Sequence, residues 1–214
     1  MSQPPVVLEN TPLEDSKAKW VGLRRILYRD SSGQERVWES AERKTRSGSC
    51  DAVCIVALLR SADDATGDEA VPRIVLVRQF RPPLGAKCIE CPAGLMDKNE
   101  TYAETATREL REETGYHGTV ARVSPVVHSD PGFGNANMAF VYVDVDMKDP
   151  RNRHPVAAPD EGEDIEVLLV PIQELSAKLE GYVAQGDGVD ARLQMFADGL
   201  CMFGQNGLWH WAKP

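Results

Sequence analysis

The sequence predicts an α+β domain in which a mixed sheet lies between helical layers. Several short apolar runs are rich in branched residues, which is typical of buried strands. They interleave with helix-forming segments, but without the strict alternation of a parallel sheet. The chain has 214 residues, of which 42% are apolar and 27% charged. That composition permits an independent core and excludes the disordered, collagen-like and disulfide-scaffold classes.

The first 47 residues predict an extension that carries a β-hairpin. Two extended runs, at residues 21–27 and 37–39, flank a turn sequence at residues 29–33. A hairpin placed before the main domain can cover a sheet edge or pair with a second subunit, so we expect this one to serve in dimerisation. Residues 48–204 are predicted to form the main domain, and residues 205–214 a C-terminal tail.

Six strands and three helices are predicted within the main domain. The strands are placed at residues 51–60, 73–80, 87–91, 119–128, 138–146 and 165–170, and the helices at residues 101–114, 171–180 and 190–203. Residues 61–72 are acidic and contain glycine and proline, which indicates a solvated loop. Residues 147–164 form a long charged loop of the kind that often carries function.

The net charge of the chain limits the kinds of partner that it is expected to bind. Lys and Arg total 24 against 33 Asp and Glu, which gives a net charge of −9. Binding to a nucleic acid polymer is therefore not expected. No apolar run approaches the roughly 18 residues of a membrane span, and the start shows no signal-peptide pattern. Five cysteines, an odd number, favour a reducing compartment, so a cytoplasmic location is expected and an additional nuclear one stays open.

One stretch carries the chemistry, with the pattern G-x5-E-x7-R-E-L-R-E-E-T-G-Y at residues 94–116. On a helix, the spacing of Glu109, Glu112 and Glu113 projects all three carboxylates over one face. Carboxylates crowded in this way repel one another unless a cation lies between them, and oxygen ligands suit magnesium or manganese. Arg108 is placed to pair with Glu100. A merely solvated acidic helix is the alternative, but seven fixed identities arise by chance on the order of 10⁻⁸ per position.

This pattern resembles the Nudix box and is complete at every fixed position. Flanking stretches resemble those of the eukaryotic ADP-sugar pyrophosphatase branch of that family: Trp20-Val, Trp38-Glu-Ser, QFRPP at 79–83, CIECPAGL at 88–95, SDPG at 129–132 and VDAR at 189–192. The resemblance implies a Nudix-type α/β/α sandwich. It also implies magnesium-dependent hydrolysis of ADP-ribose and related ADP-sugars to AMP and a sugar phosphate, with manganese as a second candidate ion.

Two alternatives to that activity remain open. One is the hydrolysis of oxidised-guanine nucleoside diphosphates or of another dinucleotide by the same chemistry. The other is a nucleotide-binding module without catalysis, although all the box carboxylates are present in this sequence.

The resemblance also implies the roles of the acidic residues. Glu109, Glu113 and the Ala93 carbonyl are expected to hold the metal, with Glu112 sharing the site and Arg108 bracing it. A separate carboxylate in the loop at residues 160–166 is expected to deprotonate the attacking water. Glu163 is its best match, with Glu161 and Asp164 as rivals.

The implied substrate contacts lie mostly in the extension. Trp20 and Trp38 are expected to stack on the base from two different subunits, which makes a homodimer necessary for binding. Glu39 is expected to accept a hydrogen bond from the adenine amino group. Arg43, Arg81 and Asp130 complete the expected contacts to the substrate. The alternatives are core tryptophans and ordinary surface arginines.

Overall fold

The N-terminal extension folds as the predicted hairpin. The structure is a computed structural model that describes residues 5–46, 48–60 and 71–205. Strands β1 (Val21–Arg29) and β2 (Glu35–Arg43) pair antiparallel in a sheet of their own. Asp30 closes the turn between them, because its carboxylate accepts hydrogen bonds from the backbone N–H groups of Ser32 and Gln34.

The main domain is built on an eight-stranded mixed sheet. Its strands are β3 (Ala52–Arg60), β4 (Arg73–Arg81), β5 (Ala86–Glu90), β6 (Ala93–Leu95), β7 (Thr119–His128), β8 (Asn137–Asp146), β9 (Ile165–Pro171) and β10 (Gly188–Val189). The order is β10-β5-β4-β3-β8-β7, with β6 pairing on β3 and β9 on β4. The β3–β8 and β10–β5 pairs are parallel, whereas the other pairs are antiparallel.

Helices cover both faces of this sheet. Helix α1 (Tyr102–Thr114) packs Leu110 against Val53 and Ile55 of β3. Helices α2 (Leu175–Ala184) and α3 (Ala191–Gln205) pack on the opposite face, where Val56 of β3 lies in the core. Because neighbouring β3 side chains point to opposite faces, one apolar strand serves both layers. The predicted α/β/α sandwich is therefore confirmed.

Helix α1 has strong signals at both ends. Thr101 and Glu104 form a capping box, in which each side chain accepts a hydrogen bond from the other residue's backbone N–H, at 3.3 and 2.8 Å. Gly115 ends the helix in the left-handed region with φ 77°. The residues at its two ends therefore fix the length of the helix that carries the acidic pattern of residues 94–116.

We expect Thr101→Ala to lower the free energy of unfolding by about 1 kcal/mol, because the Glu104 N–H loses its acceptor. Chemical denaturation followed by far-UV circular dichroism measures the change. Thr101→Ser keeps the hydroxyl and serves as the control. A Thr101→Ala variant as stable as the wild type would show that the cap contributes nothing.

Several boundaries differ from the sequence prediction. The second predicted helix was expected to start at residue 171, but Pro171 ends β9 and a single 3₁₀ turn, Ile172–Glu174, precedes α2. Strands β6 and β10 were not predicted. Residues 61–70 of the predicted acidic loop and residues 206–214 of the tail lie outside the described residues. Within the described part, none of the helices combines the length and apolar character that a bilayer crossing needs.

Candidate active site

Helix α1 places its carboxylates against the short strand β6. Glu113 is only 4% exposed, and its carboxylate accepts a hydrogen bond from the Ala93 N–H at 3.1 Å. Glu109 lies directly over Gly94, where a Cβ atom would come within 1.9 Å of the Glu109 carboxylate. A side chain at position 94 would therefore displace the Glu109 carboxylate from its present place.

Arg108 connects most of the acidic side chains of the box. Its Nη1 donates to Glu109 at 2.7 Å and to Glu112 at 3.1 Å, and its Nε donates to Glu100 at 2.8 Å. Its Nη2 also reaches the Leu95 carbonyl at 3.2 Å. The expected pairing of Arg108 with Glu100 is confirmed, and the same guanidinium lies between Glu109 and Glu112.

The site holds more negative charge than its partners neutralise. Burial, together with the charges of Glu109 and Glu163, raises the pKa of Glu113 to about 8. Burial also raises the pKa of Glu109. By contrast, the Arg108 guanidinium lowers the pKa of Glu100 to about 2. Buried carboxylates of this kind favour a divalent cation, because oxygen donors of high charge density are the ligands such ions prefer.

The residues at hand therefore fit a divalent metal, although not in their present arrangement. Among the described residues, no three acidic, histidine or cysteine side chains surround a single point closely enough to hold an ion. The Arg108 bonds to Glu109 and Glu112 account for part of this. The expected ligands, Ala93, Glu109, Glu112 and Glu113, remain a prediction.

The loop that carries the expected base is fastened to the end of α1. The buried Asn152 donates to the carbonyls of His117 and Asp146 at 2.8 and 2.9 Å, and it accepts from the His117 N–H at 2.8 Å. The Ala158 N–H donates to the Glu112 carbonyl at 2.8 Å. The root of the loop is therefore fixed relative to the carboxylates of the helix.

Within this loop, Glu163 is one of three candidate bases. Burial is the main cause of the raised pKa values of Glu109 and Glu113, and the charge of Glu163 adds to both shifts. Glu163 is exposed, as Glu161 and Asp164 are, and its carboxylate accepts the Asp160 N–H at 3.2 Å. Asp164 lies 3.8 Å from Lys87. The assignment of Glu163 as the base remains a prediction.

Arg81 lies beside the acidic cluster but is held by a partner that the sequence did not suggest. Its Nε and Nη2 donate to the two carboxylate oxygens of Glu90 at 2.7 and 2.8 Å. Glu90 is buried at the end of β5, and the positive charge of Arg81 lowers the pKa of Glu113. Arg81 therefore lies near the expected metal ligands. If its guanidinium contacts the substrate, it would do so while it also binds Glu90.

The tryptophans of the extension are not core residues. Trp20 is 68% and Trp38 49% exposed. The Trp38 Nε1–H donates to the Gly132 carbonyl at 3.1 Å, which brings the indole to the loop that starts at Asp130. Asp130 accepts the backbone N–H of Phe133 at 3.3 Å.

The two remaining extension residues lie on β2. Glu39 is exposed and is paired in register with Arg25 of β1. Arg43 is exposed at the end of β2, where its charge lowers the pKa of Asp51. The structure thus gathers the expected residues into two groups. The acidic group and Arg81 surround α1, and the aromatic group lies on the hairpin and the loop of Asp130.

Together, the sandwich fold and the row of carboxylates on α1 fit the class of hydrolases that use a divalent metal. A NUDIX domain model matches residues 50–191, which is about two thirds of the chain. The chain belongs to the Nudix hydrolase family. Members of this family generally need a divalent metal.

Three relatives match most of the chain. A Nudix hydrolase of Schizosaccharomyces pombe is 43% identical over 199 residues, which cover 92% of this chain and 94% of the relative. The ADP-ribose pyrophosphatase of Saccharomyces cerevisiae is 43% identical over 190 residues, with 88% and 80% covered. The ADP-sugar pyrophosphatase of Mus musculus is 39% identical over 189 residues, with 87% and 83% covered.

A solved structure supports the fold assignment. It is a crystal structure of an ADP compounds hydrolase, with a TM-score of 0.58 and 19% sequence identity. The match covers 97% of this chain and 98% of the other. At this identity the likeness concerns the fold alone.

Proposed function

We propose that this chain hydrolyses the diphosphate bond of ADP-ribose and related ADP-sugars to AMP and a sugar phosphate. The observation that carries the proposal is the row of carboxylates on α1: Glu113 is buried and accepts the Ala93 N–H, and Glu109 lies over Gly94. The acidic loop at residues 147–164 is fastened to the same helix by the bond from the Ala158 N–H to the Glu112 carbonyl. The similarity to the yeast and mouse pyrophosphatases supports ADP-ribose and ADP-sugars as the substrate class.

Magnesium is the proposed ion, with manganese able to replace it. Glu109, Glu113 and the Ala93 carbonyl would hold it, and Glu112 would share the site. When bound, such an ion neutralises diphosphate charge and makes a water more acidic. Glu163 then takes the proton from the attacking water as a general base. Glu109 would give up its bond from Arg108 to hold the ion, while the bond to Glu100 would keep Arg108 in place.

Recognition of the base by two subunits is the second part of the proposal. Trp38 is paired with Ile26, whereas the Trp20 carbonyl accepts the Lys44 N–H at the other end of the hairpin. Six residues along β1 separate these two points, which is about 20 Å at the rise of an extended strand. This backbone separation supports a sandwich in which Trp20 and Trp38 come from different chains.

The hairpin surface also supports a homodimer. Apolar side chains are exposed on both of its faces: Leu23, Leu27 and Val37 on one, and Ile26, Tyr28 and Trp38 on the other. A two-stranded sheet without further cover is marginally stable in water. A second copy of the chain would cover this surface, and sedimentation velocity at micromolar concentration tests for it.

A reducing, cytoplasmic location is proposed as well, and an additional nuclear one stays open. The five cysteines are all free thiols, and four of them are buried. This pattern is typical of proteins kept in a reducing compartment. Imaging of the tagged full chain in cells tests the location.

The activity is tested by incubating the protein with ADP-ribose and magnesium and separating the products chromatographically. We expect AMP and ribose 5-phosphate, and no turnover when a chelator is present. Faster hydrolysis of an oxidised-guanine nucleoside diphosphate would favour the first alternative. Tight binding of ADP-ribose without any product, across a panel of ADP-sugars, would favour a non-catalytic module.

We expect Trp20→Ala to raise the KM for ADP-ribose about tenfold or more and to lower kcat far less. Stacking on a base contributes about 1–3 kcal/mol and supports the ground and transition states alike. Steady-state kinetics measure both constants. Leu13→Ala, which removes another exposed apolar side chain of the N-terminal segment, is the control. An unchanged KM for Trp20→Ala would remove Trp20 from the binding site.

A further inference from the structure

A buried ion pair lies where the extension meets the catalytic domain. Arg46 follows β2, and its Nε and Nη2 donate to the two carboxylate oxygens of Asp51 at 2.7 and 2.5 Å. The Asp51 side chain is 2% exposed and that of Arg46 is 26% exposed. Two parallel bonds between a guanidinium and a carboxylate combine strength with a fixed direction. The pair therefore fixes the position of Arg46 relative to Asp51, which directly precedes β3.

Asp51 is itself fixed to the metal side of the domain. Its N–H donates to the Asn137 side chain at 2.8 Å, and its carboxylate accepts the Asn137 N–H at 3.0 Å. Its carbonyl accepts the Met96 N–H at 3.0 Å. Met96 comes three residues after Ala93, in the segment that continues from β6. Asp51 thus belongs to the same rigid body as the strand that faces the catalytic carboxylates.

Arg46 also reaches the segment that receives Trp38. Its Nη2 donates to the Asn135 carbonyl at 2.6 Å. Residues 129–135 form this segment, which we call the base loop. Gly132 of the base loop accepts the Trp38 indole N–H, and Phe133 accepts the Ala41 N–H at 3.0 Å. One guanidinium therefore joins the base loop to Asp51.

We propose that Arg46 is a positioning residue for the nucleoside end of the substrate. It holds the base loop, and with it Trp38, at a fixed place relative to the carboxylates of α1. The inference rests on the function proposed above, because it assumes that the base binds on the hairpin side and the diphosphate on the metal side. Arg46 itself need not touch the substrate.

A positioning role for Arg46 affects the binding of substrate but not the rate of the chemical step. Without the Arg46 bonds, the base loop keeps its backbone bonds to Ala41 but loses the side-chain tie that fixes Asn135 to Asp51. Contacts to the base then weaken equally in the ground state and in the transition state, so KM rises while kcat is kept. The Met96–Asp51 bond is a backbone bond that a change at residue 46 leaves in place. The metal side is therefore expected to keep its geometry.

Arg46→Lys is the direct test. Lysine keeps the charge, but its single ammonium lacks the planar fork that grips both Asp51 oxygens and the Asn135 carbonyl. We expect KM for ADP-ribose to rise about tenfold with kcat within about twofold of wild type. Calorimetric binding of ADP-ribose in the presence of a chelator, where no turnover occurs, is expected to weaken by the same factor.

Arg60→Lys is the matched control. Arg60 lies at the opposite end of β3 from Asp51, and its Nε donates to Asp144 at 2.6 Å. Arg60→Lys therefore alters an ion pair at the far end of β3, away from the base loop. We expect it to leave KM, kcat and binding unchanged.

A second variant distinguishes loss of the ion pair from a failure of the protein to fold. The paired change Arg46→Met with Asp51→Asn removes the tie without leaving a buried charge unpaired. Thermal melts establish that each variant is folded, and the paired variant is expected to show the same rise in KM. Wild-type KM and binding in folded variants would overturn the inference, as would a fall in kcat that matches the rise in KM. A wild-type protein that does not hydrolyse ADP-ribose would instead refute the proposed function.

Discussion

Glu113→Gln is expected to lower kcat by more than about a hundredfold while the protein stays folded. Loss of a residue in the second shell of a metal site costs about 10–100-fold, and a direct ligand contributes more. The amide keeps an oxygen that can accept the Ala93 N–H, so the contact between α1 and β6 is retained. Steady-state turnover of ADP-ribose over a range of magnesium concentrations measures the loss.

The stability of Glu113→Gln provides a second, independent measurement. Burial raises the pKa of Glu113 to about 8 in the folded protein without metal. The ionised carboxylate is then disfavoured in the fold, so the metal-free wild type loses stability as the pH rises from about 4.5 toward 8. Glutamine does not ionise, so the variant does not lose stability over this pH range. We therefore expect the variant to match or exceed the wild type in a melt at pH 8 with chelator, and magnesium to raise the Tm of the wild type only.

Leu110→Ala is a useful contrast to Glu113→Gln, because it empties a core position on the same helix and lowers stability without removing a ligand. A Glu113→Gln protein with nearly wild-type turnover would contradict the metal assignment. So would a magnesium-dependent rise in Tm of the same size in the variant and the wild type.

Glu163→Gln is expected to lower kcat by about 10²–10⁴-fold, which is the usual contribution of a general base. KM and the stabilisation by magnesium are expected to stay near the wild-type values, because Glu163 is not among the expected ligands. This combination distinguishes it from Glu113→Gln. A profile of kcat against pH completes the measurement, since loss of the base removes the limb that depends on it.

The rival loop residues are natural controls. Glu161→Gln and Asp164→Asn change neighbouring carboxylates of the same loop, and Glu163 is the one whose charge adds to the pKa shifts of Glu109 and Glu113. We expect both controls to stay within about threefold of the wild type. If Asp164→Asn alone abolished turnover, the base would have to be reassigned, and the contact of Asp164 with Lys87 would have to break in the working enzyme.

The sequence was most informative where one element carried the whole signal. Glu109, Glu112 and Glu113 share a helix, so their spacing alone placed them together. The central strands β3 and β4 were predictable because their runs of branched residues are buried on both faces. The hairpin was predictable from its two extended runs and the turn between them.

Pairings between distant residues could not be predicted. Trp38 and Gly132 are 94 positions apart, and Asp51 and Asn137 are 86 apart. Neither contact has a local signature, because both depend on how the sheet brings loops together. Strand β6 has only three residues and lacks an alternating pattern, although it positions Ala93 and Gly94. The position of the base loop, and hence the role inferred for Arg46, emerges only from the folded chain.

The guanidinium of Arg108 has a consequence for how the enzyme matures. It already donates to Glu100, Glu109 and Glu112, so it acts as a built-in counter-ion for the acidic side chains. With this counter-ion in place, we expect α1 to pack on β6 without a bound cation. Binding of the ion would then be an exchange of partners at Glu109 and Glu112, and we expect an apoprotein stripped by a chelator to regain activity on addition of magnesium without refolding.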